Sequence, residues 1–98
     1  MEWVFHSEAE AEFIESAARY EGEVPGLGRR YGRAVKEALE LIAENPDIGS
    51  PLDSELRSFI VASFPYSIIY APFEGSLFVL AVAHGRRKPG YWRHRSFR

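Results

Sequence analysis

LFVLAVAHGRRKPGYWRHRSFR, residues 77–98, changes character at its eighth residue. Leu77 to Ala83 is an almost unbroken apolar run, His84 closes it, and everything after Gly85 is dominated by cations and rings. A short apolar run bounded by turn residues reads as a strand. Continuous rather than alternating apolar character predicts a central strand buried on both faces. Residues 84–98 hold six Arg or Lys, two His, the adjacent pair Tyr91-Trp92 and no acid. The rest of the chain pulls the other way: residues 1–56 carry thirteen Asp or Glu against five Arg or Lys, and residues 57–98 carry seven basic residues against Glu74 alone. The formal net charge of −2 conceals this division. A cationic, aromatic segment directly behind a buried strand is a candidate surface for an acidic partner or a nucleic acid.

Two further strands are expected just upstream. Leu56 to Phe64 is rich in β-branched and aromatic residues, and Tyr66 to Pro72 contains Ser67-Ile68-Ile69-Tyr70. Pro72-Phe73-Glu74-Gly75-Ser76 fits a hairpin turn between the last two strands. The chain from Asp47 to Glu55 turns through Gly49 and Pro51.

The acidic half reads as helices. Trp3-Val4-Phe5 is a short first strand, and Ser7-Glu8-Ala9-Glu10 has the form of a capping box, with Ser7 as the cap. Glu8, Glu10 and Glu12 suit the positive end of a helix dipole. Phe13, Ala17 and Tyr20, flanked by Ile14 and Ala18, form the stripe of an amphipathic helix that ends at Glu21-Gly22. Pro25-Gly26-Leu27-Gly28 is a turn. It leads into a second helix whose apolar positions are Leu27, Tyr31, Ala34-Val35, Ala38-Leu39 and Ile42, stopped by Asn45-Pro46. The short link predicts a helical hairpin. The expected fold is therefore α+β: a small, mostly antiparallel sheet packed on a helical hairpin, in the order β-α-α-β-β-β. The hairpin covers one sheet face, and Tyr66, Tyr70 and Phe78 are assigned to the other.

Ninety-eight residues make a single domain, 1–98, carrying the basic aromatic segment 84–98 at its end. No apolar run reaches membrane-spanning length, and the start MEWVFHSEAEAEF lacks the basic-then-apolar pattern of a secretory signal. Zero cysteines exclude disulfides, thiolate nucleophiles and cysteine metal sites. His6, His84 and His94 lack metal-binding spacing, and neither a nucleophile elbow nor a phosphate loop is present. No metal or cofactor is expected.

Candidate function concentrates in the tail. Arg86, Arg87 and Lys88 offer positive charge to phosphate or carboxylate oxygens. Tyr91 and Trp92 either stack on a partner or fold back over the edge of the core. His84 reads as a structural residue or as a functional one. Arg57 opens the first strand after the helices, either as a plain surface residue or as a neighbour of the tail. Metal-free RNA cleavage needs a base, charge on the scissile phosphate and a proton donor. His84, Arg86, Arg87 and Tyr91 contain those types, but no paired acids point to a carboxylate base.

Five pieces together resemble the RelE/ParE toxin family of bacterial toxin–antitoxin pairs. They are HSEAEAEF at 6–13, PGLGRRY at 25–31, ALELIAENP at 38–46, FPYSIIY at 64–70 and AVAHGRRKPGYW at 81–92. They span almost the whole chain in the expected order. The resemblance implies the fold already read from the periodicities, a cytoplasmic location and an antitoxin encoded alongside. Family members of the RelE type enter the ribosome and cleave mRNA, whereas those of the ParE type poison DNA gyrase. The RelE type uses an arginine in the strand equivalent to Phe64–Tyr70, where this chain has Ser67, and residues 47–56 contain no lysine. Arg87 and Tyr91 match that type's basic-then-Tyr pattern, yet an uncharged Ser67 cannot replace a phosphate-binding cation. The resemblance thus leans to the ParE-like branch. It implies a toxin that inhibits gyrase, and Arg57, His84, Arg86, Arg87, Lys88, Tyr91 and Trp92 are the residues expected to bind the target. The alternatives are a ribosome-dependent mRNA endonuclease using His84, Arg86, Arg87 and Tyr91, or a non-toxic remnant that only holds an antitoxin. Exposed sheet edges leave a homodimer open.

Overall fold

The computed structural model describes residues 1–95; the last three residues of the basic segment, 96–98, lie outside the described residues. The elements are β1 (Glu2–Phe5), α1 (Ser7–Glu23), α2 (Leu27–Glu44), β2 (Ser50–Pro51), β3 (Arg57–Ile60), β4 (Tyr66–Phe73) and β5 (Ser76–His84). They form one sheet of order β1-β5-β4-β3-β2 with the helical hairpin against it. All neighbours are antiparallel except β1 and β5, which run parallel. This is the expected α+β architecture, with β5 central and buried on both faces.

β4 and β5 meet through a two-residue turn in which Glu74 (φ 48°) and Gly75 (φ 78°) both take positive φ, as a type I′ hairpin turn requires. A bulge near the middle of the pair leaves Leu80 between Val79, opposite Tyr70, and Ala81, opposite Ile69. Its consequence is a shift in parity. Leu77, Val79 and Val82 face the helices, while Leu80, Ala81 and Ala83 face away. The continuous apolar run of this strand thus serves two separate clusters.

The helix-side cluster is the larger. It joins Ala9, Tyr31, Val35, Ala38, Leu39 and Ile42 from the helices to Val61, Tyr66, Ile68, Tyr70, Leu77, Val79 and Val82 from the sheet side. Tyr66 and Tyr70 were expected on the uncovered face. Both lie instead under the hairpin, where ring polarity is satisfied locally: Tyr70 Oη donates to the Pro46 carbonyl (2.7 Å) and accepts from the Gly49 amide (2.9 Å). That double bond fastens the loop after α2. A Cβ at Gly49 would lie 2.7 Å from Tyr70 Oη, so only glycine permits the approach. Phe78 stays on the far side, with its ring 6.1 Å from that of Phe73.

The helix ends depart from expectation. The cap of α1 is His6, whose Nδ1 accepts from the Glu8 amide (3.1 Å), so Ser7 is the first helical residue and the Ser7–Glu10 box does not form. The helix also runs past Gly22 to Glu23. Gly26 is the cap residue of α2 and has no side chain to accept a hydrogen bond there. Glu21 of α1 supplies the missing acceptor, taking the amides of Gly26 (2.8 Å) and Gly28 (3.0 Å) across the hairpin. These bonds hold its carboxyl below the usual range. Ile14 and Ala18 flank the stripe but remain exposed. The strand expected over 56–64 shortens to β3, because the chain turns between Val61 and Tyr66 with Ser63 at φ 68°. β2, read as part of a turn, adds a two-residue ladder to β3.

Candidate functional site

The sheet face away from the helices is covered by the tail. Trp92 is buried (8 % exposed) with Ile69, Leu80, Ala81 and Ala83, and Leu56 and Tyr91 pack at the margin. Residues 84–95 follow β5 through successive turns, with amide-to-carbonyl bonds Arg87→His84, Tyr91→Lys88, Arg93→Gly90 and Arg95→Trp92. Gly90 takes φ 81° among them.

One carboxylate makes most of the polar contacts to this segment. β1 ends opposite Val79, so among the described residues the remainder of β5 has no strand on that edge. Glu12 of α1 reaches the gap. Its Oε1 accepts from the Val82 amide (3.0 Å) and Arg95 Nη1 (2.9 Å), and its Oε2 from Tyr91 Oη (2.5 Å) and Arg95 Nη2 (2.8 Å). Arg95 also donates to the Leu80 carbonyl at the bulge (3.0 Å), and Arg87 lies 3.9 Å from Glu12 Oε2. A two-pronged guanidinium–carboxylate pair in a sheltered place is a strong contact. Burial alone would raise the Glu12 pKa, but the bonds from Arg95, Tyr91 and the Val82 amide outweigh it and the pKa falls. Burial, reinforced by Glu12, pushes the Tyr91 phenol up. The Glu12 bonds raise the pKa of Arg95 as well. Secondary ties run from Arg95 and His94 to Glu8 (3.7 Å each) and from Arg93 to Asp53 (3.1 Å).

The candidate residues therefore separate into groups. Tyr91 is committed to Glu12, and Arg87 stacks its guanidinium over the Tyr91 ring at 3.8 Å. Trp92 is a core residue of the far face. Arg86 and Lys88 are exposed, with no side-chain hydrogen bond or ion pair among the described residues. His84, Arg86 and Arg87 come together around a hollow of about 300 Å³ beside α1, also lined by Glu12, Glu15, Ser16, Arg19, Tyr66 and Val82. Arg57 is elsewhere. Its guanidinium donates to the Gly49 (2.8 Å) and Asp47 (3.1 Å) carbonyls, holding the α2–β2 loop. It lines a separate, larger groove of about 620 Å³ floored by Pro72, Phe73, Phe78 and Leu80. Arg57 does approach the tail there, but at Arg93 and Arg95 rather than at Arg86 and Arg87.

Sequence reasoning missed Glu12, Arg19, Tyr66 and Arg95. Glu12 was read as a partner of the helix dipole, although it lies outside the first turn that Glu8 and Glu10 occupy. The one available signal was its spacing of four from Glu8, which puts both carboxylates on one helical face opposite a cationic tail. Chemically, the Glu12 carboxylate accepts four hydrogen bonds and has a lowered pKa, which makes it a poor proton acceptor. The Tyr91 proton is engaged by the same group. The arrangement is a clamp with a cationic outer surface.

A model of the family described as ParE toxin of type II toxin-antitoxin system, parDE, matches residues 4–89. A search of curated proteins finds no match. Among solved structures, a chain from the "Chromosomal ParDE TA system from P. aeruginosa" shares the fold at a TM-score of 0.72 and 12 % identity, covering 86 % of this chain and 95 % of that one.

Proposed function

The chain belongs to the ParE toxin family of type II toxin–antitoxin systems, and from that membership we propose that it inhibits DNA gyrase by binding it, without turning over a substrate, in the cytoplasm. The observation that carries this reading is the Glu12 clamp. It occupies the Glu12 carboxylate and the Tyr91 phenol, and leaves Arg86 and Lys88 outward as unpaired charge among the described residues. Exposed cations steer encounter with an acidic partner and set its orientation. Arg86 and Lys88 are the primary contacts in this account, with Arg87 beside them; Tyr91 and Trp92 hold the segment in place. A supercoiling assay with purified gyrase tests it: the chain should block supercoiling and accumulate cleaved complexes. No effect at high molar excess would reject the gyrase target.

As the toxin of a ParDE-like system the chain has a cognate antitoxin as its partner. We place that partner on the groove lined by Pro72, Phe73 and Leu80, where apolar sheet surface is rimmed by the ion pairs Asp47–Arg57 and Asp53–Arg93. A segment that folds on binding and brings apolar side chains suits this surface, and the acidic hairpin beside it prefers a partner segment with Arg or Lys. Co-purification of the neighbouring gene's product, lost on Phe73→Asp, is the expected result.

One observation favours a second reading. His84, Arg86 and Arg87 share a hollow, as a ribosome-dependent mRNA endonuclease would require. Mapping of ribosome-bound mRNA ends after induction separates the two: cuts at the A site support the endonuclease, and intact message rejects it.

A further inference from the structure

The hollow of about 300 Å³ between α1 and the start of the tail has features that neither the clamp nor the partner groove uses. It gathers the guanidinium-bearing residues Arg19, Arg86 and Arg87 from two parts of the chain, one of them the otherwise acidic hairpin. Arg19 donates from Nη2 to Tyr66 Oη, which fixes its direction and leaves its other N–H groups without a partner among the described residues. Arg86 has no side-chain partner among the described residues. His84 is oriented twice: its Nδ1 accepts from the Arg86 amide (3.0 Å), and its ring stands edge-on to Tyr66 at 5.0 Å. With Nδ1 accepting, the neutral ring carries its proton on Nε2, a further donor.

Two acids also line the hollow. Glu12 is neutralised by Arg95. Glu15 makes no ion pair among the described residues, even with Arg19 four residues on. The balance at the wall is positive, and the donors are planar forks and an imidazole, the set that matches phosphoryl oxygens. Tyr66 is only 4 % exposed, so no open ring face is available there for a nucleobase.

We propose that this hollow is a phosphoryl-group site, in which Arg19 and Arg86 hold the oxygens and His84 Nε2 donates a third bond. The group is supplied either by a nucleic-acid backbone or as free phosphate. Recognition reads the phosphate and not the base.

Titrating the isotope-labelled full chain with inorganic phosphate, at fixed pH and ionic strength, tests the site through the His84 ring and Arg19 side-chain resonances. The site predicts saturable shifts at both. Arg86→Ala, which removes no side-chain hydrogen bond or ion pair among the described residues, should weaken the phosphate affinity about tenfold or more, the loss of one charge-assisted hydrogen bond. Arg19→Ala should do the same, and Glu15→Gln should tighten binding. A duplex oligonucleotide that displaces phosphate assigns the site to a nucleic-acid backbone; failure to displace assigns it to free phosphate. Absence of saturable shifts, or an Arg86→Ala chain that binds as wild type does, would overturn the proposal. Gyrase inhibition can survive that failure, so the two ideas fall separately.

Discussion

The two faces of one sheet are held by different physics. Toward the hairpin, thirteen buried residues form a continuous cluster in which helices and strands interdigitate. Away from it, five buried residues are closed over by a chain segment whose attachment is polar: Glu12 to Arg95, Tyr91 and the Val82 amide. Burial on the first face is non-directional and cooperative. On the second it depends on one carboxylate staying ionised and paired. The lesson is a division of labour, in which the helix face specifies the fold and the far face fixes the pose of a cationic surface.

Ile68 and Ile69 offer the sharpest way to break the comparison. They are neighbours on β4, both nearly fully buried, and point into opposite clusters. Ile68→Ala should sit at the upper end of the roughly 2–5 kcal/mol range for such truncations, and Ile69→Ala at the lower end, because the tail can settle into the space left. Urea unfolding measures both; equal costs would erase the distinction between the faces.

Next comes the clamp. Glu12→Gln leaves the sheltered Arg95 with only its longer contact to Glu8 for counter-charge and should cost about 3 kcal/mol, the lower end for a broken buried pair because Glu12 retains some solvent contact. Hydrogen exchange should quicken first at Trp92 to Arg95, ahead of the helices. Uniform acceleration across the chain would show that the tail is part of the main core.

Acid gives a smaller effect of the same origin. The Glu12 pKa is lower in the folded chain than its ordinary value of 4.5. The unfolded chain therefore binds the proton more readily, and the stabilisation is fully present above that ordinary value. It is lost as pH falls through the folded pKa. The stability gap between wild type and Glu12→Gln should narrow over that acid window and stay level from there to neutral pH. A gap that widens on acidification would contradict the sign.

How much of this was legible beforehand follows the same divide. The helical hairpin, the central β5 and the presence of a turn before it rest on periodicity and local turn chemistry, and both are written in neighbouring residues. The bulge at Leu80 is not, because a continuous apolar run hides any change of parity. Tyr66 and Tyr70 were misassigned for another reason: β4 alternates regularly but offers apolar residues on both faces, Ile68 with the tyrosines and Ile69 opposite, so nothing local says which face the hairpin covers. Glu12 and Arg95 are 83 positions apart and join through polar contacts that leave no periodic trace. His6 displaced Ser7 as the cap by a geometric choice that the S-x-x-E pattern does not encode. Of the tail, the sequence displayed the charge, while the separation of clamped Tyr91 from outward Arg86 and Lys88 needed coordinates.

The smallest expected effect on stability accompanies the largest on function. Arg86→Ala with Lys88→Ala removes exposed, unpaired charges and should change stability by no more than about 0.5 kcal/mol. The most direct test of the account is gyrase supercoiling titrated with the wild-type chain and with this double variant, alongside their melting curves. The account predicts inhibition by the wild type, at least about a tenfold higher concentration needed for the variant, and superimposable melts. No inhibition by the wild type, or equal potency of the two chains, would contradict it.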